Sequence, residues 1–446
     1  MAQGGLTWLQ ILRLALVQTG LGAMVVLTTS TMNRVMVVEL AFPAIVPGAL
    51  VGIHYALQLT RPLFGHGSDG GRRRTPFIVA GLAVLGLGAV AASGATALMQ
   101  HHPTAGILAA ILAFAAIGVG VGAAGTNLLT LVATHVAADR RGPAATLIWM
   151  MMIFGFVVTT AVAGKVLDPY SPERLIAVTA AVCGIAFLVA LAGLAGIERP
   201  ARENEGRGAS APKPPFRRAL EEVWREAETR RFTIFVVVSM LAYAGQDLIL
   251  EPFAGIVFSM TPGETTGLSS AQHGGTFLGM LLVAALSPIL APRMRNVLTR
   301  LSVAGCLASA LALAMLAASG LVPGFLPIGV LVFALGLGNG VFAVAAIGKM
   351  MALAREGERG REGVRMGVWG AAQAISFGAG GFLGTVAVDL AGQVIGPGGG
   401  AYGVVFAVEA LLFLVSAKLV TTTVRQHSRA PGESEETRSS NEVVPA

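Results

Sequence analysis

Glu198-Arg199-Pro200-Ala201-Arg202-Glu203-Asn204-Glu205-Gly206-Arg207-Gly208-Ala209-Ser210-Ala211-Pro212-Lys213-Pro214-Pro215 is a long polar interruption in a chain otherwise built from apolar runs. A stretch so rich in Pro, Gly and charge buries too little apolar surface to fold alone and reads as a flexible linker. What flanks it decides the fold. A helix needs about 20 apolar residues to cross the hydrocarbon core of a bilayer. Runs of that kind lie before the linker at 12–33, 42–64, 77–99, 106–134, 144–164 and 175–197. They resume after it at 232–258, 270–291, 298–319, 325–348, 364–388 and 402–420. The expectation is an all-α membrane protein of twelve transmembrane helices in two six-helix halves, 1–197 and 232–420. Between them, 198–231 is a linker, and 421–446 is a polar tail expected to be disordered. Within the linker, Phe216, Leu220, Val223, Trp224 and Ala227 share one helical face, so an amphipathic helix lying on the membrane surface is expected there.

Composition agrees with this division. Only 12% of the 446 residues are charged and 54% are hydrophobic, where soluble domains carry about 25% charged residues. The 58 glycines suit helices that approach closely in lipid, and Gly118/Gly122, Gly336/Gly340 and Gly380/Gly384 have the spacing of such crossings. Cys183 and Cys306 sit in apolar runs of opposite halves and are expected to be packing residues. With both termini on the cytoplasmic side, that side holds 27 of the 31 Lys and Arg, the opposite side only Arg34, Lys165 and Arg174, and Arg61 sits inside a span. The positive-inside rule then orients the protein with termini and linker in the cytoplasm. The basic balance reflects topology and contact with anionic lipid, so no nucleic-acid partner is expected. The four tryptophans, Trp8, Trp149, Trp224 and Trp369, fall toward the same side, as an interfacial belt would.

Charges inside the apolar runs mark the candidate functional residues, because an ionised group at mid-membrane costs about 2.5–3.5 kcal/mol on insertion scales. In Tyr243-Ala244-Gly245-Gln246-Asp247-Leu248-Ile249-Leu250-Glu251-Pro252-Phe253, the two acids are four apart and share a helical face with Tyr243. The first span ends Asn33-Arg34-Val35-Met36-Val37-Val38-Glu39 at similar depth in the other half. Arg34 is therefore the expected partner of Asp247 or Glu251. The group Arg34, Glu39, Asp247 and Glu251 reads either as an ion pair locking the halves or as a proton or substrate site. His54, in the second span, and His273, placed at the start of the eighth, are imidazoles able to ligate a metal or to hydrogen-bond a neighbouring helix. Gly396-Pro397-Gly398-Gly399-Gly400 lacks the Lys-Ser/Thr of a phosphate loop. No Ser/His/Asp or Cys/His set and no Asp-rich prenyl-diphosphate helix is evident, so a non-enzymatic protein is expected.

Two sets of six spans around one long linker is the plan of the major facilitator superfamily. Gly65-His66-Gly67-Ser68-Asp69-Gly70-Gly71-Arg72-Arg73-Arg74 resembles that superfamily's cytoplasmic loop G-x-x-x-D-R-x-G-R-R, with Gly65, Asp69, Arg73 and Arg74 in register. It departs from the pattern at Gly70 and Arg72. The loop reads either as a conformational latch or as a hydrated, positive-inside turn. A more specific resemblance runs through Gln246-Asp247-Leu248-Ile249-Leu250-Glu251-Pro252-Phe253-Ala254-Gly255, Met260-Thr261-Pro262-Gly263-Glu264, Gln272-His273-Gly274-Gly275 and Asn33–Glu39. These stretches are similar to the PucC/LhaA family, a major facilitator branch of phototrophic bacteria. The resemblance implies an assembly factor for light-harvesting antenna complexes in the inner, intracytoplasmic membrane. Its cargo would be bacteriochlorophyll, and its partners antenna polypeptides and reaction-centre/antenna assembly intermediates. His54, His273, Gln246 and Tyr243 are then the candidate pigment contacts. The alternative is a proton-coupled transporter of a small molecule or tetrapyrrole.

Overall fold

The computed structural model describes residues 5–58, 73–137, 140–198, 225, 227–294, 296–324, 326–356 and 362–425. Phe216, Leu220, Val223 and Trp224 of the expected amphipathic helix, Gly65 and Asp69 of the loop, and the tail beyond Arg425 lie outside the described residues, whereas 227–231 and 421–425, placed in the linker and the tail from sequence, are helical. Those described contain twelve long helices: α1 Trp8–Thr29, α2 Ile45–Gln58, α3 Thr75–Met99, α4 Pro103–His135, α5 Arg141–Val166, α6 Pro172–Leu194, α7 Ala227–Phe258, α8 Pro262–Leu290, α9 Val297–Leu321, α10 Ile328–Glu356, α11 Glu362–Ile395 and α12 Gly399–Arg425. Eleven are long and apolar enough to cross a membrane, and α2, described over 14 residues, is apolar but shorter. This is a multi-pass membrane protein.

Local chemistry sets several helix starts. Thr7 with Gln10, and Thr261 with Glu264, form reciprocal capping boxes, satisfying amide hydrogens that have no partner inside the helix. Ser171 accepts from the Arg174 amide, and Pro76, Pro103, Pro172 and Pro262 stand in first turns, where a missing N–H costs nothing. The cap at Thr261 starts α8 eight residues earlier than the apolar run alone places it. His273 therefore lies 11 residues inside that helix rather than at its start.

The six helices on each side of the linker enclose their own apolar core, one around Leu14, Leu82, Phe114 and Ile117, the other around Phe235, Phe253, Phe342 and Phe413. The halves meet where α5 packs on α8 and α2 on α11. Small residues allow both crossings. A Cβ at Gly164 of α5 would come 2.8 Å from the Gly263 carbonyl oxygen of α8, and Gly48 of α2 lies directly against Thr385 of α11. The tryptophan belt is only partly realised. Trp8 is half exposed, whereas Trp369 is fully buried against Phe232 and Trp149 lines an internal cavity. Edge-on ring packing inside the second core outcompetes the interface for Trp369.

The basic face shows how a carboxylate can fix a helix start. Glu198 accepts from the amides of Arg74 and Thr75 and from the Thr75 hydroxyl, all at 2.8 Å, and so caps α3. Arg73 and Arg74 of the loop motif thus serve as the entry to α3. Burial pushes the Glu198 carboxyl up, but these hydrogen bonds outweigh it and hold the group below its ordinary value of 4.5. A depressed carboxylate stabilises the fold above its unfolded value, and the contribution fades as pH falls through the depressed one. E198Q is therefore expected to lower the thermal midpoint in detergent at neutral pH. The gap from the parent should close as the solution is acidified below 4.5. A gap that stays constant over that range would refute the charged cap.

A candidate cargo cavity between the halves

A cavity of about 230 Å3 lies between the halves, walled by α1, α2, α4 and α5 on one side and α7, α8 and α11 on the other. Its walls combine aromatic rings with amides. Tyr55 of α2 stacks on Phe377 of α11 at 6.0 Å, and Tyr243 of α7 meets the same ring edge-on at 5.6 Å. Across the cavity His273 of α8 packs against Phe156 of α5 at 5.0 Å. Gln18, Gln58, Gln272 and Gln373 supply amides, and Asp247 is the carboxylate of the lining. Apolar walls with a few convergent polar groups are the usual chemistry of a small-molecule site.

Toward the face opposite the chain termini, the cavity is closed by bonds between the halves. Thr31 and Thr266 share a hydroxyl hydrogen bond at 3.0 Å. Pro252 has no N–H, so the Leu248 carbonyl loses its partner within α7. The Asn33 amide, from the other half, donates to that carbonyl at 2.5 Å. Asp168, just beyond α5, accepts from the Thr261 hydroxyl at 2.5 Å and the Gly263 amide at 3.0 Å, at the start of α8. Asp389 of α11 accepts from the Ala44 and Ile45 amides at 3.0 and 2.7 Å, at the start of α2. Each half thus sends an acid from the region of its fifth helix to the positive end of the partner half's second helix, the placement a helix dipole favours.

Arg34 does not pair with Asp247 or Glu251, contrary to the expectation from sequence. Its guanidinium pairs with Glu39 and donates to the Met260 carbonyl at 2.6 Å. The reason is local backbone. After α1 the chain continues through Thr31–Arg34 into a π turn, Val35–Glu39, whose wider i→i+5 winding brings the residue five along back over Arg34. The cross-half link exists, but it runs from Arg34 to a main-chain oxygen beside Gly255, where a side chain would meet the guanidinium. Tyr170 lies near this pair, and burial, with the charge of Glu39, pushes its phenol up to about 12.

The other singled-out residues separate into two groups. Tyr243, Asp247, His54 and His273 line the cavity. Glu251 is buried behind it and accepts from the Ser269 hydroxyl. Gln246 is fully buried and does not line the cavity, so the structure separates it from Tyr243, His54 and His273, with which the sequence reading grouped it. His54 is buried at the α2–α4 crossing, with its Nε2 2.9 Å from Gln58 Nε2. Its carbonyl lies against Gly118, where a Cβ would come within 2.5 Å. Sequence reading passed over Glu409 of α12, which is buried with neither carboxyl oxygen hydrogen-bonded among the described residues and which presses on Gly245 of α7. The signal was available, since Glu409 is an acid inside the 402–420 run, the criterion that marked Asp247. The glutamines and Tyr55 carried no such signal, because only the packing of seven helices brings them to one space.

Comparison with known proteins adds ancestry to this geometry. Residues 31–428 match the family model described as PUCC protein. A Rhodobacter capsulatus protein named bacteriochlorophyll synthase 44.5 kDa chain is 49% identical over 426 residues, covering 95% of this chain and 97% of its own. Protein PucC of Rhodobacter capsulatus is 29% identical over 94% of this chain and 93% of its own. Among solved structures, the nucleoside transporter NupG superposes with a TM-score of 0.67 at 14% identity, over 94% of this chain and 99% of that one. At that identity the match shows the fold alone, the all-helical arrangement of major facilitator transporters. The chain belongs to the PUCC protein family.

Proposed function

We propose that this protein is a non-enzymatic assembly factor for light-harvesting antenna complexes, which holds bacteriochlorophyll between its halves and passes it to antenna polypeptides in the same bilayer. The carrying observation is the cavity itself, with facing aromatic groups, several amides and imidazole in its walls. Family membership supports this reading, and so does one relative, from Rhodobacter capsulatus, whose name refers to bacteriochlorophyll. A flat macrocycle offers faces to rings and peripheral carbonyls to amide and phenol donors, and Tyr243 supplies such a donor. In this reading the protein resides in the inner, intracytoplasmic membrane with its termini and linker in the cytoplasm, and it meets antenna polypeptides and reaction-centre/antenna intermediates there.

A second reading, proton-coupled transport of a small molecule or tetrapyrrole, is favoured by Asp247 on the cavity wall with Glu251 behind it. The two readings differ in what a deletion does. An assembly factor's loss lowers assembled antenna while pigment synthesis continues, and the tagged protein co-purifies with antenna polypeptides. Normal antenna in a deletion strain expressing no related protein would overturn the assembly role. Antenna loss accompanied by solute uptake into vesicles of the purified protein would favour transport.

A further inference from the structure

Two histidines line the cavity, and the structure distinguishes them. His54 is engaged within the protein, with its Nε2 against the Gln58 amide, its ring edge-on to Tyr55 at 4.8 Å, and its backbone clamped by Gly118. Turning that ring toward a ligand would break the Gln58 contact inside a closely packed crossing. His273 is different. It is partly exposed to the cavity, its ring touches Phe156, and neither ring nitrogen has a hydrogen bond among the described residues. The imidazole therefore presents its nitrogens to the cavity, where a ligand can reach them without breaking a bond inside the protein.

The helix that carries His273 is also held rigidly. The capping box at Thr261 and the Asp168 contact fix its start. Two and six residues beyond His273, Gly275 and Gly279 lock α8 against carbonyls of α10. Functional groups on such fixed elements keep their geometry without help from the ligand. A neutral imidazole offers one nitrogen lone pair, the donor that commonly takes an axial position on a metallotetrapyrrole.

Resting on the pigment reading above, we propose that His273, and not His54, is the axial ligand to the metal of a cavity-bound magnesium tetrapyrrole. Phe156 packs against the imidazole, and Gln272 lies beside it on the cavity wall. The sequence weighed the two histidines equally, and the difference comes from their partners.

The test uses the full-length protein in mild detergent, titrated with bacteriochlorophyll and separately with its metal-free counterpart, bacteriopheophytin. H273F is expected to weaken bacteriochlorophyll binding about tenfold or more, a change of about 1.4 kcal/mol, with bacteriopheophytin binding unchanged. H54F should leave the ratio of the two affinities as in the parent. In H273G, added imidazole should restore the lost affinity and the parent's metal-coordination signature in resonance Raman spectra. Equal loss for both pigments in H273F, with no rescue of H273G, means that His273 only shapes the cavity and overturns the proposal. A selective loss in H54F overturns it in favour of the other histidine. A parent protein that binds neither pigment defeats the pigment reading itself, a result distinct from the other two.

Discussion

Replacing Glu39 by alanine is expected to destabilise the protein by about 3–5 kcal/mol, because it leaves a buried guanidinium without its counter-charge. The asymmetry of the pair makes this prediction sharp. The Arg34 side chain is 3% exposed and that of Glu39 is 33% exposed. Removing the acid strands a charge that cannot reach water. Removing the base strands a carboxylate that can turn outward, plus one carbonyl, that of Met260. R34A should therefore cost less, about 1–3 kcal/mol, the scale of a lost hydrogen bond to a buried acceptor. The double variant R34A/E39A should be more stable than E39A, since no isolated charge remains. Thermal unfolding in mild detergent and the amount of protein in the membrane both read this order. An E39A variant no less stable than R34A would mean that the guanidinium is not buried as described.

G336A and G340A should be nearly as damaging, and for a steric reason. A methyl group on Gly336 would overlap the Gln272 carbonyl oxygen, and one on Gly340 the Thr276 carbonyl oxygen. Both obstacles are main-chain atoms of α8, so no side-chain rotation relieves them and α8 must move away from α10. Overpacking costs about 1–3 kcal/mol, and these positions belong at the top of that range. The shift also displaces Gln272 and His273, so cargo binding should fall together with stability. G274A is the control. It lies on the same helix beside His273, with nothing within 4 Å of its added methyl, and it should leave both properties unchanged. Equal behaviour of G336A and G274A would show that the crossing is looser than the structure describes.

These cases mark what could be read from the chain alone. The helices were legible because a bilayer demands long apolar runs, and the runs at 77–99 and 298–319 lie within α3 and α9. Gly336/Gly340 were legible as a close crossing because small residues four apart leave a groove on one face. Arg34 was legible as a buried charge, since nothing else in its surroundings could solvate it, but its partner was not. Helical neighbours are three or four apart, and Glu39 is reached only through a π turn that no local pattern announces. Asn33 could not be matched to Leu248 in advance either. Pro252 reveals that a carbonyl is vacated, but only the docking of the two halves supplies the donor.

The sequence by itself determined the number and limits of most spans, the two-half plan and the presence of charged groups at unusual depth. Each of these follows from one physical demand acting along the chain, the cost of exposing polar groups to lipid. The tertiary structure decided which of those groups meet. Asp168 and Asp389 reach helix starts in the opposite half, Gln246 turns from the cavity while Gln272 and Gln373 enter it, and His54 is tied to Gln58 while His273 is open. Such choices depend on helix rotation and crossing angle. Those are set by close packing among residues hundreds of positions apart, and no periodicity within a single helix records them.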